Sequence, residues 1–122
     1  MAFVLYDRYS KWSIVFTFEK KKMSQPKFII TADGFLRLGM VNMHKDLLLP
    51  GDECIGGGYY QLDYVSNRLI LDRKSYDYGN PKWHWLDVLK VPSVYRGLQI
   101  VYMFDDGEEL NLSNKLKVEY YD

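Results

Sequence analysis

Residues 27–43 read KFIITADGFLRLGMVNM, and this stretch decides the fold. Its first six residues are rich in the β-branched and aromatic side chains that favour strands. Asp33-Gly34, a dipeptide favoured in tight hairpins, comes next, and a second apolar run begins directly after it. The pattern therefore predicts a hairpin made of one strand over residues 27–32 and another over residues 35–43.

Further strands are predicted downstream of this hairpin. Residues 54–65 form a long run that Ser66-Asn67 turns into a second hairpin strand over residues 68–71. Residues 98–104 and 116–121 complete the set, with a turn over residues 105–107. Aromatic residues make up 16% of the chain, and such residues suit pleated, half-buried surfaces. We therefore expect sheet to outweigh helix.

Two segments carry helical signals. Residues 44–49 allow at most a turn or two before Pro50-Gly51 ends them. Asn80-Pro81 is typical of a helix start, and Trp85, Val88 and Leu89 follow at helical spacing. The sequence thus predicts one substantial helix, ending before Pro92.

The length of 122 residues fits one domain. Residues 1–24 differ from the rest, because five basic side chains outnumber two acidic ones there. They form either an N-terminal extension before an alternative start at Met23, or an added strand over residues 12–18 with apolar side chains at period two. Residues 25–122 are the predicted domain.

Charge and cysteine content narrow the class of protein. Sixteen Lys and Arg balance sixteen Asp and Glu, so overall charge favours neither nucleic acid nor an anionic membrane. No apolar run reaches the ~18 residues of a membrane helix. Cys54, His44 and His84 make a poor set of zinc ligands. We expect a cytoplasmic protein with no metal, no cofactor, no nucleic-acid partner and no membrane partner.

His44 is the strongest candidate for chemistry. It lies just before a predicted helix start, where exposed backbone N–H groups can hold an anion. With an ordinary pKa of about 6.5, a histidine there can act as a base or nucleophile near neutral pH. The alternative is an ordinary surface histidine. His84 lies between two tryptophans, which favours a packing or surface role.

The three glycines at residues 56–58 do not fit a nucleotide-binding motif, because the Lys-Ser/Thr ending and the G-x-G-x-x-G spacing are both missing. At the start of a strand they indicate either a β-bulge or a close approach by another backbone or a ligand.

The chain resembles the protein histidine phosphatase family, also called the janus/ocnus family, over about two-thirds of its length. Four segments carry the resemblance in the same order: KFII (27–30), MHKD (43–46), ECIGGG (53–58) and SYDYG (75–79), the last followed by Pro81. The glycine-rich segment is the most specific of them. The resemblance implies an α/β (α+β) fold: one small domain with a mixed, mostly antiparallel sheet flanked by about two helices.

The resemblance also implies a metal-free phosphatase acting on a phosphohistidine-containing protein or a small phosphoramidate, as a monomer or weak homodimer. His44 falls on the family's catalytic histidine and Lys27 on its active-site lysine. The phosphate-binding positions are the following: the backbone amides of Met43, His44 and Lys45, the segment containing Ser75 and Asp77, and Arg37 near a basic residue of the family.

Three departures from the family leave other functions open. Tyr59 stands where the family has a pocket arginine, Asp77 replaces a small neutral residue, and the segment between His44 and Gly56 is short. One alternative is a catalytically degenerate member of the fold that binds phosphate or protein. A plain protein-interaction domain with an aromatic surface is the other.

Overall fold

The Asp33-Gly34 dipeptide turns the chain as its sequence predicts. In the computed structural model, which describes residues 24–73 and 81–122, strand β1 (Gln25–Thr31) pairs antiparallel with β2 (Leu36–Val41). Gly34 has a φ of +90°, a region that glycine enters without the strain other residues meet. Its N–H donates to the carbonyl of Thr31 at 2.9 Å and closes the turn. The predicted hairpin is confirmed.

Six strands form the main sheet. Beyond β1 and β2 these are β3 (Cys54–Asp63), β4 (Arg68–Asp72), β6 (Gln99–Met103) and β7 (Glu109–Asn111), in the order β2-β1-β3-β4-β6-β7. Within this sheet the β4–β6 pair is parallel and the four other pairs are antiparallel. The prediction of a mixed, mostly antiparallel sheet in an α+β, sheet-dominated domain is confirmed.

The predicted helix between Asn80 and Pro92 is wrong. Over its described part the chain forms a 3₁₀ turn at Trp83–Trp85 and then strand β5 (Val88–Pro92), which pairs in parallel with β8 (Lys117–Tyr121). The apolar residues of this segment fit the helical period and also the strand period of two. In the structure, burial alternates along β5, and Trp85 is 64% exposed. Pairing with a distant strand decides between the two periods.

The expectation of about two flanking helices is also wrong for the residues that the structure describes. Helical segments there are single turns: 3₁₀ turns at His44–Leu47, Trp83–Trp85 and Ser93–Tyr95, and α1 (Leu112–Lys115). The first of these confirms the short turn predicted before Pro50-Gly51. None of the four is long enough to cover a sheet face.

The two faces of the main sheet have different roles. Phe28 and Ile30 of β1 point into the hydrophobic core, where β5 and β8 supply Leu89, Val91 and Val118. Lys27 and Ile29 alternate with them and therefore point to the opposite face. The turn at His44–Leu47 packs on this opposite face, since Leu47 lies over Gly39 of β2. The candidate site is thus on the face away from the main core.

The three glycines at residues 56–58 lie next to a β-bulge, and two of them also allow other parts of the protein to approach closely. Ile30 pairs with Gly56 and Thr31 with Cys54, so Ile55 is the extra residue of a β-bulge. The Pro81 ring packs against Gly56, where a Cβ would lie 2.7 Å from it. At Gly58 a Cβ would lie 1.9 Å from the carbonyl oxygen of Asp72. Glycine is required at both positions, because other parts of the protein approach them too closely for a Cβ.

Residues 1–23 and 74–80 are not described. The predicted N-terminal strand, Ser75, Asp77 and the predicted cap at Asn80 lie outside the described residues.

Candidate functional site

Lys27 is a buried lysine on the second face of the sheet. Its side chain is only 8% exposed, and its Nζ donates a hydrogen bond to the carbonyl oxygen of Asn42 at 2.6 Å. Asn42 lies between β2 and the turn at His44–Leu47, so Lys27 ties β1 to the entry of that turn. A charge held in this way is oriented before any ligand arrives.

His44 begins that turn and is 5% exposed. Its Nε2 lies 3.0 Å from the carbonyl oxygen of Gly58. Since a carbonyl oxygen can only accept, Nε2 carries the hydrogen and donates it. In the neutral ring the basic lone pair is then on Nδ1. The same glycine that admits the Asp72 backbone therefore also fixes the tautomer of the histidine.

Tyr59 brings the two candidates together. It is the register partner of Lys27 on β3, and the Nζ of Lys27 lies 5.8 Å from the centre of its ring. The His44 ring stacks on the same tyrosine, with the ring centres 6.0 Å apart and the planes 20° from parallel. Lys27 and His44 therefore both lie against one aromatic side chain.

The backbone around His44 is partly engaged by a carboxylate of the chain itself. The Met43 N–H donates to Oδ2 of Asp46 at 3.1 Å, and the Asp46 N–H donates to the Met43 carbonyl at 3.0 Å. The first bond is half of a capping box, and the second closes the 3₁₀ turn. A phosphate oxygen that bound the Met43 amide would have to replace Asp46. The side chains of Met43 and Lys45 are exposed.

Arg37 lies on the same face of the sheet as Lys27. It is on the neighbouring strand β2, two residues before Gly39, the register partner of Lys27. Its guanidinium forms an ion pair with Asp52, and each side chain is 17% exposed. The Leu49 N–H also donates to Asp52, at 2.7 Å. The pKa of Asp52 is lowered below its ordinary value of 3.8, first by this backbone hydrogen bond and then by Arg37. Arg37 thus anchors the loop that follows the His44 turn.

Asp52→Asn should change how stability depends on pH. Because the pKa of Asp52 is lowered in the folded protein, its charge stabilises the fold above about pH 4, and this contribution is lost as the pH falls through the folded-state pKa. The difference in unfolding free energy between wild type and Asp52→Asn should therefore be constant near neutral pH and shrink in acid. Urea unfolding across this range measures it, and a difference that grows in acid would contradict the ion pair.

His84 is not part of this cluster. His84 is exposed and packs edge-on against Trp85, with the ring centres 5.9 Å apart. The structure says nothing of Ser75 and Asp77. Across residues 24–73 and 81–122, no group of three or more His, Cys, Asp or Glu side chains could hold a metal ion.

Sequence reasoning missed three parts of the site. The central position of Tyr59 depends on the β1–β3 register, which the sequence does not contain. For the other two parts, the carboxylates of Asp46 and Asp52, the sequence does contain a local signal. Asp46 follows Met43 at the spacing of a capping box, and Asp52 follows Leu49 at the same spacing across Pro50-Gly51.

Comparison with known proteins gives no match to a family model, a curated protein or a solved structure. Within the described part of the chain, no helix has the length and apolar character needed to cross a membrane.

Proposed function

We propose that the protein is a metal-free phosphatase that hydrolyses the P–N bond of phosphohistidine on proteins, with His44 as general base or nucleophile. The observation that supports this most is that Lys27 and His44, both buried, lie against the same Tyr59 ring. A lysine can neutralise phosphate oxygens, and a histidine can handle a proton or a phosphoryl group near neutral pH. Both are buried, where charge interactions are stronger than in water.

Such a site is sufficient for this reaction. The imidazole leaving group of phosphohistidine is easily protonated, so the protein has to neutralise phosphate charge, position the reactants and provide one base or nucleophile. As a base, His44 takes a proton from the attacking water. As a nucleophile, it accepts the phosphoryl group, which water then releases. In both routes the hydrogen bond from Nε2 to Gly58 orients the ring and makes Nδ1 the basic nitrogen.

We also propose that residues 25–122 are a diverged protein histidine phosphatase fold in a cytoplasmic protein. The support is the order of the shared segments on β1, on the His44 turn and on β3. The described residues lack flanking helices of more than one turn. The proposed divergence from the family therefore includes the way in which the faces of the sheet are covered.

A catalytically degenerate module that binds phosphate or a phosphorylated protein is the second candidate. It is favoured by the engagement of the Met43 amide by Asp46 and of Arg37 by Asp52. Tyr59 in place of an arginine points the same way, because tyrosine cannot provide a bidentate cation.

Phosphate release from a phosphohistidine substrate, measured in the presence of chelator, tests the proposal. We expect turnover of phosphohistidine and none of a phosphoserine peptide. Binding of inorganic phosphate without turnover would instead support the binding module. Neither binding nor turnover would overturn both candidates.

Tyr59→Arg should strengthen phosphate binding. An arginine at this position adds a cation beside Lys27 and His44, and we expect the Kd for inorganic phosphate to fall about tenfold. Calorimetric titration measures it. Tyr59→Met, which changes the side chain without adding charge, is the control and should give no gain. Equal affinities for the two variants would mean that phosphate does not bind at Tyr59.

A further inference from the structure

Strand β2 forms one edge of the main sheet. The Phe35 carbonyl accepts from the Thr31 N–H at 3.0 Å, so the backbone groups of Phe35 face β1. Along an antiparallel strand, the backbone N–H and C=O groups of successive residues point alternately to one neighbour and to the other. The backbone groups of Arg37 and Gly39 therefore also point to β1, whereas those of Leu38 and Met40 point outward.

The outer edge is covered at its beginning only. β5 reaches it through a bridge between Phe35 and Lys90, and the Tyr121 hydroxyl donates to the Leu36 carbonyl at 2.7 Å. No described strand pairs with the edge at Leu38 and Met40. An extended strand can therefore be added there.

Beyond Leu36 this edge carries neither an unpaired charge nor a proline that would oppose strand pairing. Exposed edges are normally kept short or carry charged residues or proline. β2 contains no proline, and its one charge, Arg37, is paired with Asp52. The opposite edge, β7, is by contrast only three residues long.

We propose that β2 pairs antiparallel with β2 of a second copy of this chain, so that the six-stranded sheet continues across a two-fold axis. With Gly39 on the axis, Leu38 of one copy faces Met40 of the other. Each of these two pairs can exchange both N–H···O=C hydrogen bonds, because the backbone groups of both residues point outward. This proposal is independent of the phosphatase proposal.

The surroundings of the edge fit a second copy. Met40 is 61% exposed, and in this arrangement it packs beside Leu38 of the other copy. On the opposite face Leu47 lies over Gly39, where a Cβ would be 3.2 Å from Leu47 Cδ2, so the two Leu47 side chains come together near the axis. Pairing in this way would bury no unpaired charge of the described β2 edge, because Arg37 is paired with Asp52. The chain as a whole is neutral, so two copies do not repel each other through net charge.

Sedimentation velocity over a range of concentrations tests the pairing, with Met40→Lys as the variant. A lysine on an edge strand opposes pairing, so we expect the dimer Kd to rise at least about tenfold. Val65→Lys is the control, because Val65 is a 98% exposed apolar residue in the turn between β3 and β4, away from β2, and its Kd should match wild type. The Leu38 and Met40 amides should also exchange hydrogen more slowly as the concentration rises.

Three results would overturn the proposal. One is a wild-type protein that stays monomeric up to about 1 mM. Another is a dimer that Met40→Lys leaves unchanged. The third is protection of the Leu38 and Met40 amides at every concentration, which would show that another part of the same chain covers the edge.

Discussion

Replacing Gly58 by alanine is expected to lower the free energy of unfolding by about 3 kcal/mol, the upper end of what overpacked positions lose. A Cβ at this position would lie 1.9 Å from the carbonyl oxygen of Asp72 and 3.0 Å from the ring of Phe28. The first contact is with backbone, which cannot rotate away. Strands β3 and β4 would have to separate, and the carbonyl that holds His44 would move with them.

Gly39→Ala is the matched control, because Gly39 is also a strand glycine. Its nearest neighbour is the end of the flexible Leu47 side chain, at 3.2 Å, so we expect a loss below about 1 kcal/mol. Urea unfolding of the two variants measures the difference. Equal losses would contradict the close approach of β4 to Gly58.

The second large effect is expected on catalysis. His44→Ala should reduce phosphohistidine turnover by at least about 100-fold, since it removes the only histidine in the cluster, and positioned acid–base groups contribute effects of that size. Stability should fall as well, because His44 is 5% exposed and bonded to Gly58. Thermal unfolding of the variant therefore accompanies the assay, which is run where both proteins are folded.

The features that local sequence determines could be predicted. Asp33-Gly34 is a hairpin signal in itself, and Pro50-Gly51 limits the His44 segment to one turn. The strands β3, β4, β6 and β8 follow from their β-branched and aromatic runs. The expectation that Lys27 and His44 share a site came from the resemblance, since nothing local joins residues 27 and 44.

Features that depend on distant pairing could not be predicted. The residues around Val88 and Leu89 fit a helical stripe as well as a strand, and only pairing with β8 decides between them. Strand β7 has three residues, too few to show a period. Tyr59 was recognised only as a missing arginine, because its place between Lys27 and Asp72 depends on the registers of β1, β3 and β4.

The most direct test compares phosphate release from a phosphohistidine substrate by wild type, His44→Ala and His84→Ala, side by side with chelator. His84→Ala is the control, because His84 is an exposed histidine outside the cluster. We predict that wild type and His84→Ala turn over alike while folded His44→Ala does not. Equal activity of all three proteins, or loss in both variants, would contradict the assignment of His44 as the catalytic residue.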